Sequence, residues 1–342
     1  MSVPLVTIAI PALNAGNTIV DALACAFGQT HDSVEVVLAD NGSVDDTVAR
    51  ARRFAEEMEV PLTVVTCAER GPGPARNEAL RHARGEYIAW LDADDLIHPE
   101  KVRTQLALLS RFSGKPAIAT CDVATTSTLP SEAPFHIAHG GAAEGTRLDA
   151  LLGFCGIQTS AHLLTRAAAE LLSEDGGFVA VRCQDREYFT RSRLLDIPYV
   201  HVSKILTVYR RHGPLQVTNT LPRRLWADAV GVGYRRLQEV VASRNVPLDA
   251  RERAALERRW DLLKWRPLPD DEQLESHLGA RGAALARIAH AASVHLPPAC
   301  LEHLAMTTCT TNPQLFRAYF DLCQALERVA EAGWLAADAA HE

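Results

Sequence analysis

The sequence has no apolar run approaching the roughly 18 residues that cross a bilayer, and no basic segment ahead of a signal-type apolar stretch, so a cytoplasmic chain without a membrane span is expected. It has no excess of positive charge. Thirty-five Lys and Arg stand against 42 Asp and Glu, a net −7, which argues against a general nucleic-acid binder and offers no attraction to anionic lipid. Its 8 cysteines include no CxxC pair, which excludes a zinc ribbon and a dithiol motif and leaves buried thiols as the reading. His136 and His139, in HIAH, lack the cysteine pair or HExxH context of a zinc site. Two nucleotide fingerprints are missing as well. The first strand–helix turn, PALNAGNT, is neither GxGxxG nor GxxxxGK[ST], which lowers the dehydrogenase and P-loop readings.

What is present is an ordinary chain of 342 residues, 47% hydrophobic and 23% charged, long enough for a sizeable core in two domains or in one with an appendage. The first third alternates apolar strands with helical patterns. Strands are expected at Leu5 to Pro11, Val34 to Asp40, Leu62 to Cys67 and Tyr87 to Asp92; helices are expected at about Asn17 to Phe27, Asp45 to Met58 and Gly73 to Ala83. Near-continuous apolar strands with helical crossovers predict an α/β fold with a mostly parallel central sheet covered on both faces, and ligands outside the carboxyl ends of its strands. Polar clusters follow three of those ends: Pro11 to Asn14, Asp40 to Ser43, and Asp92 to Asp95. After Pro116 the pattern becomes irregular. A strand is expected at AIATCDVATT, short helices around Leu148 to Leu152 and Ala161 to Leu172, a helix beginning near Asp185, and a strand in YVHVSKILTVYRRHG. From about Arg223 the pattern is helical, with Trp226, Val230, Leu237 and Val241 at one spacing and Leu315, Tyr319, Leu322, Leu326 and Val329 at another.

The most informative stretch is GEYIAWLDADDLIHP, Gly85 to Pro99, which delivers Asp92, Asp94 and Asp95 to a strand end. Carboxylate oxygens there suit Mg²⁺ or Mn²⁺ bridged to substrate phosphates. The alternative is a solvated turn with Asp95 near the start of the next helix. Gly71 to Asn77, GPGPARN, reads as a loop entering a helix with Arg76 in its first turn, placed either to meet a phosphate or to pair with Glu78 at the surface. Asp185 falls at the beginning of a plausible helix, where an N-cap or an ion-pair partner is the structural reading. Trp260 and Trp265 pack an appendage, form an oligomer contact or make a lid over an acceptor.

In order along the chain, TIAIPALN, VVLADNGSVDDT, GPGPARNEALRHARGEYIAWLDADD, GGF, CQDREYF and YRRH resemble the family 2 glycosyltransferases, inverting enzymes of the GT-A fold, over roughly Val3 to Gly213. The resemblance implies a GT-A type, Rossmann-like nucleotide-binding domain and a helical C-terminal region. Residues 1–125 would form the nucleotide-sugar half, 126–222 the acceptor half with the catalytic base, and 223–342 the helical region. It implies that Pro11 and Asn14 border the nucleotide, that Asp40 faces a uracil or thymine base, and that Arg76 lies near the pyrophosphate. Asp92 would meet the ribose or the water shell of the cation, Asp94 would ligate Mn²⁺ or Mg²⁺ directly, and Asp95 would either touch the metal or orient the following turn. Asp185 matches the catalytic base, with Gln184 before it where many relatives carry Glu. His212 matches a position that touches metal or diphosphate in some relatives, or else faces the acceptor. The implied partners are a nucleoside-diphosphate sugar, a UDP-sugar first among them, and a hydroxyl-bearing acceptor: a saccharide, a small metabolite or a peptide. Two rival readings stand beside this one. A sugar nucleotidyltransferase would use similar carboxylates but opens with a basic Gly-rich loop that PALNAGNT lacks, and a non-catalytic scaffold would retain the core without turnover.

Overall fold

The computed structural model describes residues 3–127, 135–138, 146–152, 158–181, 184–211 and 223–258. His212, Trp260, Trp265 and the helical pattern around Leu315 to Val329 lie outside the described residues. The amino-terminal alternation folds as the sequence predicts: β1 (Val6–Ala12), α1 (Ile19–Phe27), β2 (Val34–Asp40), α2 (Thr47–Glu57), β3 (Leu62–Thr66), α3 (Pro72–His82) and β4 (Tyr87–Trp90). There follow β5 (Leu96–Ile97), α4 (Lys101–Leu109), β6 (Ile118–Ser127), β7 (Phe135–Ala138), α5 (Arg147–Leu152), β8 (Leu163–Thr165), α6 (Arg166–Glu174), α7 (Gln184–Leu194), β9 (Tyr199–Arg211), α8 (Arg223–Ser243) and α9 (Ala250–Arg258).

The described strands form one sheet in the order β3-β2-β1-β4-β8-β6-β9-β5, with β7 paired to β6. β1, β2, β3 and β4 run parallel, while β8 is antiparallel to both β4 and β6. β1 is buried on both faces, as a central parallel strand must be. Its Val6, Ile8 and Ile10 pack with Ile19, Leu23 and Val102 on one side, and Ala9 packs with Ala75, Trp90 and Tyr188 on the other. The edge strand β3 is only partly covered. α1 buries Ile19, Ala22, Leu23 and Ala26, the stripe its helical spacing predicts. A third cluster joins Leu194 of α7 to Val230, Tyr234 and Leu237 of α8 and to Leu256 of α9.

One expected element is corrected. The helix read from Ala161 to Leu172 is a single 3-10 turn at Thr159–Ala161, then β8, then α6 from Arg166. Leu163 and Leu164 are claimed by Ala89 and Ile88 of β4 on one side and by Ala119 and Ile118 of β6 on the other, so distant partners override a locally helical pattern. The helix starts where the Thr165 hydroxyl caps the Ala168 N–H.

Candidate functional site

β4 carries the chain to its carboxyl end and the carboxylate turn follows, closed by the Asp95 N–H donating to the Asp92 carbonyl at 3.0 Å. Asp92 and Asp94 are half-buried, whereas Asp95 is fully buried. The Asp95 carboxylate accepts Gln158 Nε2 at 2.5 Å, Ser160 Oγ at 2.7 Å and the Arg210 backbone N–H at 3.3 Å. Burial, with Asp92 and Asp94 adding, pushes its carboxyl well above the ordinary range. Of the two readings for Asp95, the geometry takes the one in which it orients the turn. Arg210 also donates through Nε to the Asp94 carbonyl and through Nη1 to Asp21 at 2.7 Å, so β9 grips the turn and ties it to α1.

Arg76 arrives from the other direction. Gly71 sits at φ +126°, a conformation that favours glycine, and a Cβ on Gly73 would lie 2.1 Å from the Val179 carbonyl oxygen. Only glycine lets the start of α3 press so closely on the 177–180 segment. Asn77 then clamps Phe178 by both backbone groups, Nδ2 donating to its carbonyl and Oδ1 accepting its N–H, each at 2.8 Å. The result buries Arg76 to 3% exposure, with Nη2 paired to the Asp92 carboxylate and the guanidinium 5.4 Å from the Phe178 ring centre. The surface pair with Glu78 does not form, because Glu78 is taken by Arg81 and His82. Nε and Nη1 of Arg76 are enclosed and have no acceptor among the described residues.

Asp185 stands in the first turn of α7, half-buried, its Oδ1 accepting the Arg186 N–H at 2.9 Å. Burial raises its carboxyl above the ordinary range, the Arg76 guanidinium works against that rise and the Asp92 charge adds to it. Asp92, Arg76 and Asp185 therefore share one electrostatic neighbourhood, contributed by β4, α3 and α7. The fully buried Arg191 keeps α7 in place: Nε meets Glu187 at 2.7 Å, Nη1 meets the Leu172 carbonyl at 2.5 Å, and Nη2 meets the Gly177 carbonyl. Phe178 stacks on Tyr188 with ring centres 3.7 Å apart, and Trp90 meets Phe178 edge-on at 5.2 Å.

On the other flank, Pro11 lies in β1 opposite Ala39 of β2, and Ala12 lies opposite Asp40. Asn14, at φ 50°, accepts the Val44 N–H at 2.9 Å and donates its own N–H to Ser43 Oγ at 2.9 Å, joining the loops that follow β1 and β2. The buried Asp40 carboxylate accepts the N–H groups of Gly42 at 3.3 Å and Ser43 at 3.2 Å. Asn41, read in the sequence only as part of its cluster, links Glu69 and Gly71 through bonds of 2.6 Å and 2.7 Å and fixes the approach to α3. Gln158 and Ser160 belong to no sequence motif, while Asn77 and Arg210 stand in GPGPARN and YRRH without a role of their own.

Among the described residues no group of three His, Cys, Asp or Glu side chains stands ready for a metal. Two hard carboxylates at a turn fit a Mg²⁺ or Mn²⁺ that completes its shell with water and phosphate oxygens.

Comparison with known proteins bears on the amino-terminal half and on the fold. Residues 7–168 match the family model for glycosyl transferase family 2. An uncharacterized glycosyltransferase of Rickettsia typhi is 31% identical over 118 residues, which is 34% of this chain and 36% of that protein. The succinoglycan biosynthesis protein ExoO of Rhizobium meliloti is 36% identical over 121 residues, 35% of this chain and 34% of that protein. The chain thus spans about a third of the length of these relatives. Among solved structures, S. aureus TarS 1–349 in complex with UDP-GlcNAc superposes with a TM-score of 0.59 at 18% identity, over 96% of this chain and 91% of that one. Mannosyltransferase PcManGT from Pyrobaculum calidifontis, in complex with GDP-Man and Mn²⁺, gives 0.55 at 21% identity, over 98% and 88%. At these identities the structural likeness speaks for the fold, and the matched segment ends before Asp185. Residues 7–168, just under half of the chain, are thus similar to glycosyl transferase family 2, and the fold is that of the GT-A glycosyltransferase neighbours.

Proposed function

We propose that this protein is a metal-dependent inverting glycosyltransferase, which moves a sugar from a nucleoside-diphosphate sugar, a UDP-sugar first among the candidates, to an acceptor hydroxyl by single displacement. The observation that carries the reading is Arg76: a buried guanidinium with one nitrogen on Asp92 and two enclosed nitrogens that have no acceptor among the described residues. Leaving such donors unpaired costs about 1–3 kcal/mol, and a diphosphate would supply the missing oxygens. The nucleotide-sugar complexes of TarS and PcManGT support the donor class, and the Mn²⁺ in the latter supports the ion.

Residues 1–125 would hold the donor. Asp40 would face the base, Pro11 and Asn14 would border the nucleotide, and Asp92 would meet the ribose or the water around the ion. Asp94 and Asp92 would hold Mg²⁺ or Mn²⁺, with His212 beside the diphosphate. When bound, the ion supplies Lewis-acid neutralisation of the departing diphosphate. Residues 126–222 would hold the acceptor, and Asp185 would take its hydroxyl proton as the oxygen attacks the anomeric carbon and the bond to the diphosphate breaks on the opposite face. A carboxylate raised by burial is a stronger base than one in water, which suits it to a proton transfer worth about 10²- to 10⁴-fold.

Thermal stability of the purified chain against UDP, dTDP, GDP, ADP and CDP, each with Mn²⁺ or chelator, tests donor and ion together. Ligand at 100 times its dissociation constant adds about 2.7 kcal/mol of stability. A metal-dependent shift with one nucleotide, lost in Asp94→Ala, is the expected result. The absence of any shift would move the reading to a non-catalytic scaffold.

A further inference from the structure

Beneath the carboxylate turn lies a buried polar hub that the reaction itself does not use. Ser160 is fully buried, and its hydroxyl does two things at once: it accepts the Asp92 N–H at 3.0 Å and donates to Asp95 Oδ2 at 2.7 Å. A serine hydroxyl has one proton to give, so the donor to Asp95 and the acceptor from Asp92 are assigned without ambiguity. Gln158, two residues earlier, donates to the same Asp95 oxygen, and the other Asp95 oxygen takes the Arg210 N–H at 3.3 Å. The first and last residues of Asp92–Asp95 are thereby attached to one 3-10 turn from the second half of the chain.

That 3-10 turn is itself pinned from below. The Ser160 carbonyl accepts the Thr207 hydroxyl at 3.1 Å, the Ala161 carbonyl accepts Gln105 Nε2 at 2.8 Å, and Gln105 in turn holds Lys101 Nζ at 2.8 Å. Each connection is buried, where a hydrogen bond is least exposed to competition from water. By contrast, Asp92 and Asp94 are half open. β4 ends at Trp90 and its pairing with β1 reaches only to the Leu91 N–H on the Ala9 carbonyl at 3.1 Å, so the backbone beyond it is held by contacts from other elements and by the turn's own Asp95–Asp92 bond.

We infer that Ser160 and Asp95 are positioning residues for the carboxylate turn: Asp95 is not a ligand of the ion but the anchor that, through the Ser160 hydroxyl, sets where Asp92 and Asp94 present their oxygens. The inference rests on the glycosyltransferase reading for what those oxygens hold. It also makes the donor site depend on residues that lie outside any recognisable motif.

The test is a Mn²⁺ titration at fixed UDP, or whichever nucleotide the thermal screen selects, far below the melting temperature, on the full chain and on Ser160→Ala, Gln158→Ala and Asp94→Ala. Removing a partner that orients a metal ligand typically costs 10- to 100-fold in metal affinity. Ser160→Ala is expected to weaken the Mn²⁺-dependent part of nucleotide binding by about 10-fold, with metal-free binding of the nucleotide unchanged. Gln158→Ala, whose side chain is only half-buried, is expected to move the same quantity in the same direction by less. A purely structural role would lower the melting temperature and leave the Mn²⁺ titration of the folded protein where it was. Mn²⁺ affinity equal to the parent in both variants overturns the positioning role. A parent chain that shows no Mn²⁺-dependent binding overturns instead the reading on which it rests, and Ser160→Ala failing to fold leaves Gln158→Ala to decide.

Discussion

Two buried polar regions meet at the carboxylate turn, and they differ in how completely their valences are closed. Below the turn, Asp95, Ser160, Gln158, Gln105 and Lys101 bond one another, the backbone N–H groups of Asp92 and Arg210, or the carbonyls of Ala119, Ala161 and His162. Above it, Arg76 spends one nitrogen on Asp92 and keeps two enclosed ones that have no acceptor among the described residues, with Asp185 close enough to feel its charge. A closed network fixes geometry; an open one waits for a ligand. The contrast separates residues that act from residues that aim, even though both sets are charged and both are buried.

The largest effect should come from the open region. Asp185→Asn removes the only carboxylate that the proposal gives to the acceptor hydroxyl, and transfer is expected to fall by about 10²- to 10⁴-fold while Mn²⁺-dependent nucleotide binding holds. Measured in the parent, the acid limb of kcat/KM should report a carboxyl raised above its ordinary value of 3.8 by burial. Activity falls as pH drops through that value, since the protonated acid accepts nothing. Near-full turnover of the Asn variant would erase the distinction between the two regions by taking the base out of the open one.

Charge burial in the closed region makes a prediction of the opposite kind, about stability. Lys101 is fully buried, and burial lowers its pKa to about 8 from 10.5. Between those values the unfolded chain holds a proton that the folded chain has released, so stability rises with pH across that window and is lowest below pH 8. The span is about 3 kcal/mol at 1.36 kcal/mol per pH unit. Lys101→Met, of similar length, is expected to flatten the rise when unfolding is followed by denaturant titration from pH 7 to 10.5. An unchanged slope would mean that the ammonium is better satisfied than its bonds to Gln105 and the His162 carbonyl imply.

How far these regions were legible in the sequence follows the same division. The alternation from Val6 to Trp90 is carried by near-continuous apolar strands and by helix stripes such as Ile19, Ala22, Leu23 and Ala26, each local enough to read one segment at a time. Asp92, Asp94, Arg76 and Asp185 sit in stretches whose composition is unusual for a core, and so they drew notice. Ser160 and Gln158 did not, because a serine and a glutamine ahead of AHLLTRAAAELL look like any polar lead into a helix. β8 has a helical pattern for the same reason: Tyr87–Ala89 and Ile118–Ala119, far away in the chain, turn Leu163–Thr165 into a strand. The choice of Asp92 over Glu78 as the partner of Arg76 was equally hidden, since it depends on how closely α3 approaches residues a hundred positions later.

That approach offers the smallest and most specific way to sharpen the comparison. A methyl group on Gly73 would sit 2.1 Å from the Val179 carbonyl oxygen and 3.3 Å from Phe178 Cβ, so Gly73→Ala must push α3 away from the 177–180 segment. Overpacking of this sort costs about 1–3 kcal/mol, which a denaturation midpoint would register. The displacement falls on Arg76 and on the Asn77 clamp around Phe178, whereas Ser160 and Asp95 touch neither. The Mn²⁺ titration should therefore keep its midpoint while the nucleotide binds more weakly with and without the ion, whereas Ser160→Ala is expected to shift the Mn²⁺ titration and leave metal-free binding unchanged. If both variants shift the metal and nucleotide terms together, the two regions are one cooperative unit, and the division between aiming and acting residues is wrong at its centre.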